Sequence, residues 1–203
     1  GTEVNVHSDN GAINIGDASG NGIVNAGTNV NVTTDSGAIT TTGAITGGGN
    51  VIVDAGTLGN VSLGGSVTAN TGNVNVETDS GTITTTGNVT GDDKVIINSG
   101  EGDVTVNGNV TATNEEVKVT TGSGSITTTG NISGHKDVTL ESVDGNITVG
   151  GYTESEVENV TANVKGDGNI EFTGEVSANG DVQAEVAGEG DISTGSSASV
   201  SGT

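Results

Sequence analysis

The residues best suited by type to do chemistry are carboxylates, and two pairs stand side by side: Asp92 with Asp93, and Glu115 with Glu116. Two carboxyls that share a proton can serve as general acid and base, and several together can hold a hard cation. Adjacent residues of a strand or turn point apart, however, so neither pair converges on one reacting atom. The two imidazoles, His7 and His135, fall far apart, with no nearby ligand set expected at either. Asp35 and Asp79 recur in the string "TDSG", a turn able to offer oxygens to calcium, but the glycine-glycine-x-glycine-x-aspartate calcium repeat is absent. Solvated turn acids are the expectation, and the chain has no Cys to supply a thiolate. No catalytic, cofactor-binding or metal-ligating residue is therefore expected, no cofactor is implied, and the protein reads as a non-enzyme.

Seven Asn-x-Ser/Thr strings begin at Asn31, Asn60, Asn88, Asn109, Asn131, Asn146 and Asn159. They are glycosylation acceptors in a host with the machinery, but a turn Asn leading into a β-branched strand generates the same string. With 26 acidic residues against four Lys and no Arg, the formal charge is −22. Such a surface repels phosphate backbones and anionic lipid, so nucleic acid is excluded as a partner. No 18-residue apolar run exists, and no membrane insertion is expected. Seven acids precede Gly91 and 19 follow it, while the Gly and Val texture continues throughout. One domain over residues 1–203, with a charge gradient, is the simplest organisation.

The elements that must carry these residues follow from a repeat. Aromatics make up 1% of the chain, Gly numbers 37 and Pro is absent, a composition for many short strands and tight turns. An alternating apolar pair follows a turn at Val4, Val30, Val51, Val74, Val95, Val117, Val138, Val160 and Val182, at spacings of 26, 21, 23, 21, 22, 21, 22 and 22. Three short strands recur within each unit. In register, Ile39, Val61, Ile83, Val104, Ile126, Ile147, Ile170 and Ile192 form one aliphatic column. Val32, Val53, Val76, Ile97, Val119, Leu140, Ala162 and Ala184 form a second, and Ile45, Val67, Val89, Val110, Ile132 and Val176 a third. This predicts an all-β, three-sided parallel β-helix, a β-solenoid of about nine coils of 21–22 residues. A left-handed hexapeptide helix needs multiples of six, so the right-handed form is favoured; a β-sandwich does not require such columns.

The register sharpens the chemistry. "DDK" at 92, "NEE" at 114, "HKD" at 135 and "EVE" at 156 share one corner, where Lys94 and Lys136 bracket Glu115 and Glu116 as a surface charge ladder. Outward Thr40, Ser62, Thr84, Thr105, Thr127 and Thr148 form a hydroxyl column. A flat pair of such columns would bind ice, but the second reads Thr42, Gly64, Thr86, Asn107, Thr129 and Gly150 and fails on alternate coils. The octets "SGAITTTG", "SGTITTTG" and "SGSITTTG" also place Thr41, Thr85 and Thr128 inward, against Leu63, Val106, Val149 and Phe172. Their hydroxyls are expected to bond backbone carbonyls. Two irregularities stand out: "GDASGNG" at 16–22, a loop that could dock a neighbour, and Tyr152 where other coils start their third strand.

The unit "GNVNVETDSGTITTTGNVTG" from Gly72 to Gly91 resembles the repeats of filamentous haemagglutinin type adhesins of the two-partner secretion route, and similar strings cover nearly the whole chain. The resemblance implies a right-handed β-helical shaft on or outside a bacterial envelope and carries no catalytic residue. The chain lacks that family's "NPNG" element. It opens at Gly1 without Met, which suits a mature form after signal-peptide removal or an excised fragment. Neither "GTEVNVHS" nor "SASVSGT" carries a capping device, so uncapped ends are expected. An extracellular or cell-surface structural protein results, forming a fibre, sheath or surface layer by head-to-tail stacking on copies of itself, with a cell surface or extracellular matrix as further partner. The alternative is the shaft of a long adhesin.

Overall fold

A computed structural model describes residues 1–17, 19–195 and 199–202. The first coil lays down β1 (Val4–Ser8), β2 (Ile13–Ile15) and β3 (Val24–Ala26), and the pattern repeats to β25 (Val182–Val186), β26 (Ile192–Thr194) and β27 (Val200–Ser201). First strands join one nine-stranded sheet, second strands another and third strands a third. All pairing is parallel, and among the described residues there is no helix. The molecule is a β-solenoid of about nine turns, as the repeat predicts, and among the described residues no helix is long and apolar enough to cross a membrane.

Register follows the aliphatic spacing. Val4 pairs with Val30, Val74 with Val95, and Val160 with Val182, so each irregular spacing is taken up in a corner rather than in a strand. Ile83 sits between Val61 and Val104 in the second sheet, and Ile13 extends that column by one member below Ile39. β-Branched side chains suit the pleat, and short turns rich in Gly, Asn, Asp and Ser separate strands of two to five residues. The three inward faces meet along one continuous core, and Val30, Ile39 and Ile45 are wholly buried, as are their counterparts several coils later. Burial fades at the outermost rungs. First strands inside the rod alternate buried and half-buried residues, whereas β1 and β25 alternate half-buried and exposed ones, and every residue of β26 is exposed.

The corner after the first sheet explains the Gly of the octets. A Cβ on Gly81 would land on the carbonyl of Gly59, itself stacked over Gly37 in the same way. Coils can approach this closely only where neither carries a side chain. Gly56 has a different reason, its φ of 59°, in a coil whose first strand is one residue shorter. The 16–22 loop folds on itself: Asp17 N–H donates to the Asn21 carbonyl at 2.9 Å, and Asp17 Oδ1 accepts from Ser19 N–H at 2.8 Å. Ala18 of this loop, and Ser196, Ser197, Ala198 and Thr203 near the end, lie outside the described residues.

Candidate functional site

Three groups of side chains and the rung faces compete for the role of site. The first group is the charged corner. Lys94 Nζ donates to Glu116 Oε1 at 2.9 Å and Lys136 Nζ to both oxygens of Glu115, at 2.8 and 2.7 Å, so the lysines bracket the glutamates as the register predicts. The Lys136 hydrogen bond holds Glu115 below the usual carboxylate range, and the reciprocal bonds raise both lysines. His135 Nδ1 meets Glu156 at 2.9 Å on the same corner. Each lysine engages a carboxylate of the adjoining coil, giving a ladder of ion pairs on this corner. Glu158 is displaced the other way, upward, first by burial and then by a hydrogen bond with Asp137.

The second group corrects an expectation. His7 is not without ligand-type neighbours: its ring lies with the carboxylates of Asp9 and Asp35, ligand atoms within 4.8 Å of one another. Asp35 comes from the following coil, so only the stacked register brings it there. All three residues are exposed. His7 Nε2 sits 3.0 Å from Asp9 Oδ1, and since a carboxylate only accepts, that nitrogen carries the proton; Nδ1 faces the Thr33 hydroxyl at 3.0 Å.

The third group, the inward threonines, brings a second correction. Thr41, Thr85 and Thr128 do stack against Leu63, Val106 and Val149, but their hydroxyls are buried without a hydrogen-bond partner, as is that of Thr153 beside Tyr152. Thr41, Thr85 and Thr128 end their three-residue strands and Thr153 begins its own, and no acceptor lies within hydrogen-bond reach of their hydroxyls there. Hydroxyls one corner away behave as expected of an inward hydroxyl. Thr78 Oγ1 donates to the Gly59 carbonyl at 2.6 Å, Ser99 to Gly81 at 2.7 Å, Thr121 to Gly102 at 2.7 Å and Ser142 to Gly124 at 2.9 Å. Thr78, Ser99 and Thr121 also accept a turn N–H, as from Gly102 to Ser99 at 2.8 Å. The sequence signal for this set is a Ser or Thr three residues before a corner Gly. The outward hydroxyl columns fall where predicted, Thr84 between Ser62 and Thr105, with Thr86 hydrogen-bonded to the coil in which Gly64 takes its place.

The Asn residues belong to the rung faces. Asn60 Oδ1 accepts from Thr82 N–H at 2.9 Å, Asn88 from Asn109 at 3.1 Å, Asn109 from Asn131 at 3.0 Å and Asn159 from Asp181 at 2.9 Å. Asn131 and Asn146 do the same for Tyr152 and Asn169. Six of the seven Asn-x-Ser/Thr strings thus start at an Asn that locks one coil to the next; Asn31 instead lies within a strand and donates to Glu3 and Asn5. In the last described coil Ile192 is 49% and Val200 45% exposed, although their column neighbours Ile170 and Val176 are wholly buried.

Comparison with protein-family models, with curated proteins and with solved structures finds no match.

Proposed function

We propose that this chain is a non-enzymatic structural protein that builds an extracellular fibre, sheath or surface layer by end-to-end stacking of solenoids. The observation that carries the reading is the interchangeability of the rungs. Backbone ladder, Asn corner bonds and aliphatic columns recur from coil to coil, so the face on which one rung sits is the face it offers to the next. A parallel strand edge with apolar residues beside it is a template for another strand. A second copy can supply that strand at each end, and because the two ends are unlike, the contact does not close on itself. The charge of −22 keeps the sides of such rods apart and directs contact to the ends.

The extracellular placement rests on the resemblance of the Gly72–Gly91 unit to secreted shafts. The same interchangeability favours a second reading, the shaft of a long adhesin in which further coils of one chain continue the rod. Sedimentation of the purified 203-residue chain over a range of concentrations separates them. Stacking predicts species that grow with concentration beyond any fixed oligomer. A monomer at every concentration contradicts it and leaves the shaft.

A further inference from the structure

Many corners between coils are closed by a reciprocal pair of hydrogen bonds. Between the second and third coils, Val30 N–H donates to the Asn50 carbonyl at 2.9 Å while Asn50 N–H donates back to Asn29 Oδ1 at 2.9 Å. In the second sheet, Val61 N–H bonds the Thr82 carbonyl at 2.9 Å and Thr82 N–H bonds Asn60 Oδ1 at 2.9 Å. The pair has a direction. The side-chain acceptor belongs to the earlier coil and faces the later one, whose N–H points back.

Carried to the outermost described rungs, this direction makes the two ends unlike. In the last rung the acceptor positions hold Asp181 and Asp191, whose own N–H groups donate backward to Asn159 and Asn169 at 2.9 and 2.8 Å. Their carboxylates accept from no group among the described residues. Val182 and Ile192 stand beside them with N–H groups on the outer side of the ladder. In the first rung the matching positions are Glu3 and Ala12, whose N–H and carbonyl groups face the other way, and neither residue offers the short side-chain acceptor of the later corners.

We propose that stacked copies join in one polarity and one register, last rung onto first. Asp181 Oδ1 and Asp191 Oδ1 accept from Glu3 and Ala12 N–H, while Val182 and Ile192 N–H donate to the Glu3 and Ala12 carbonyls. Val182, Ile192 and Val200 then continue the columns of Val4, Ile13 and Val24, and Gln183 lies over Asn5 on the outside. The partner is a second copy of this chain, and the inference rests on the end-to-end assembly proposed above. Ionised Asp acceptors give the junction charge-assisted bonds where most internal corners have the neutral bonds of Asn.

The chain has no Cys, so paired substitutions read the register directly. In-register neighbours on adjacent parallel strands lie about 4.8 Å apart, within the roughly 4.4–6.8 Å that a disulfide spans between Cα atoms. A two-residue offset gives about 7–8 Å, which a disulfide does not bridge. Copies carrying Asn5→Cys are mixed with copies carrying Gln183→Cys and oxidised, beside mixtures of Asn5→Cys with Glu185→Cys and Asn5→Cys alone. Both positions point outward in exposed strands, so folding is kept. The expected result is a covalent dimer from the first mixture, in at least about tenfold excess over either control, as strained geometry disfavours the others. Equal or greater cross-linking in a control overturns the register or the polarity. Unsubstituted filaments without the first cross-link overturn this junction and leave end-to-end assembly standing, whereas absence of both overturns the two together.

Discussion

Thr85 and Thr78 both point into the rod, yet only Thr78 has somewhere to place its hydroxyl. Its oxygen donates to Gly59 and accepts from Gly81, whereas Thr85 Oγ1 is buried without a partner. Thr85→Val replaces that hydroxyl with a methyl of similar size and is expected to raise the midpoint of urea unfolding, by about 1 kcal/mol of stability. Thr78→Val leaves a carbonyl and an N–H unpaired and is expected to cost about 1–3 kcal/mol. Alternation in the sequence told that both side chains turn inward; it did not tell which hydroxyl has an acceptor within reach, because that depends on how the neighbouring coil's corner is placed. The same limit concealed the company of His7, since Asp35 arrives from another coil. Charge effects at this scale have opposite signs. Glu115, held low by Lys136, contributes stability above the ordinary carboxylate range that is lost as pH falls through its folded value. Glu158, held high by burial, costs stability near neutrality, and the cost disappears as pH falls through its raised value. Thermal unfolding of Glu158→Gln should therefore show a higher melting temperature than the parent near neutral pH and no difference in acid, while Glu115→Gln should show a lower one near neutrality and likewise converge in acid.

At the scale of the element, strands of three to five residues inside the rod persist because each is paired on both sides and stops at a corner that bonds to neighbouring coils. The strand ladder sets the spacing between coils, and the corner glycines are what let the chain fit at that spacing. Gly81→Ala tests this, since its Cβ would meet the Gly59 backbone and no flexible side chain can move aside. A loss of roughly 1–3 kcal/mol or more is expected, measured as a fall in the unfolding midpoint, against little change for an outward substitution such as Thr84→Ser. The strands themselves were legible in the sequence. Val30, Val51 and Val74 mark their starts although the spacing varies, because the extra residues fall in corners and leave the period-two alternation intact. The corner chemistry was less legible: an Asn before a strand reads equally as a turn former, a glycosylation acceptor or an inter-coil lock until its partner is known.

At the scale of the molecule, nine rungs repeat one interface along the apolar columns that foretold the rod, and end-to-end stacking is proposed to extend that same interface between copies. What the columns could not reveal was direction, which lies in corner acceptors such as Asn60 and Asn109 Oδ1 that bond an N–H of the later coil. A rod of nine coils at the parallel strand spacing advances by about 43 Å. Electron microscopy of the purified chain at high concentration tests end-to-end stacking most directly. Unbranched filaments one solenoid wide, with an axial subunit repeat near 43 Å, are expected. Short particles of uniform length at all concentrations would contradict it.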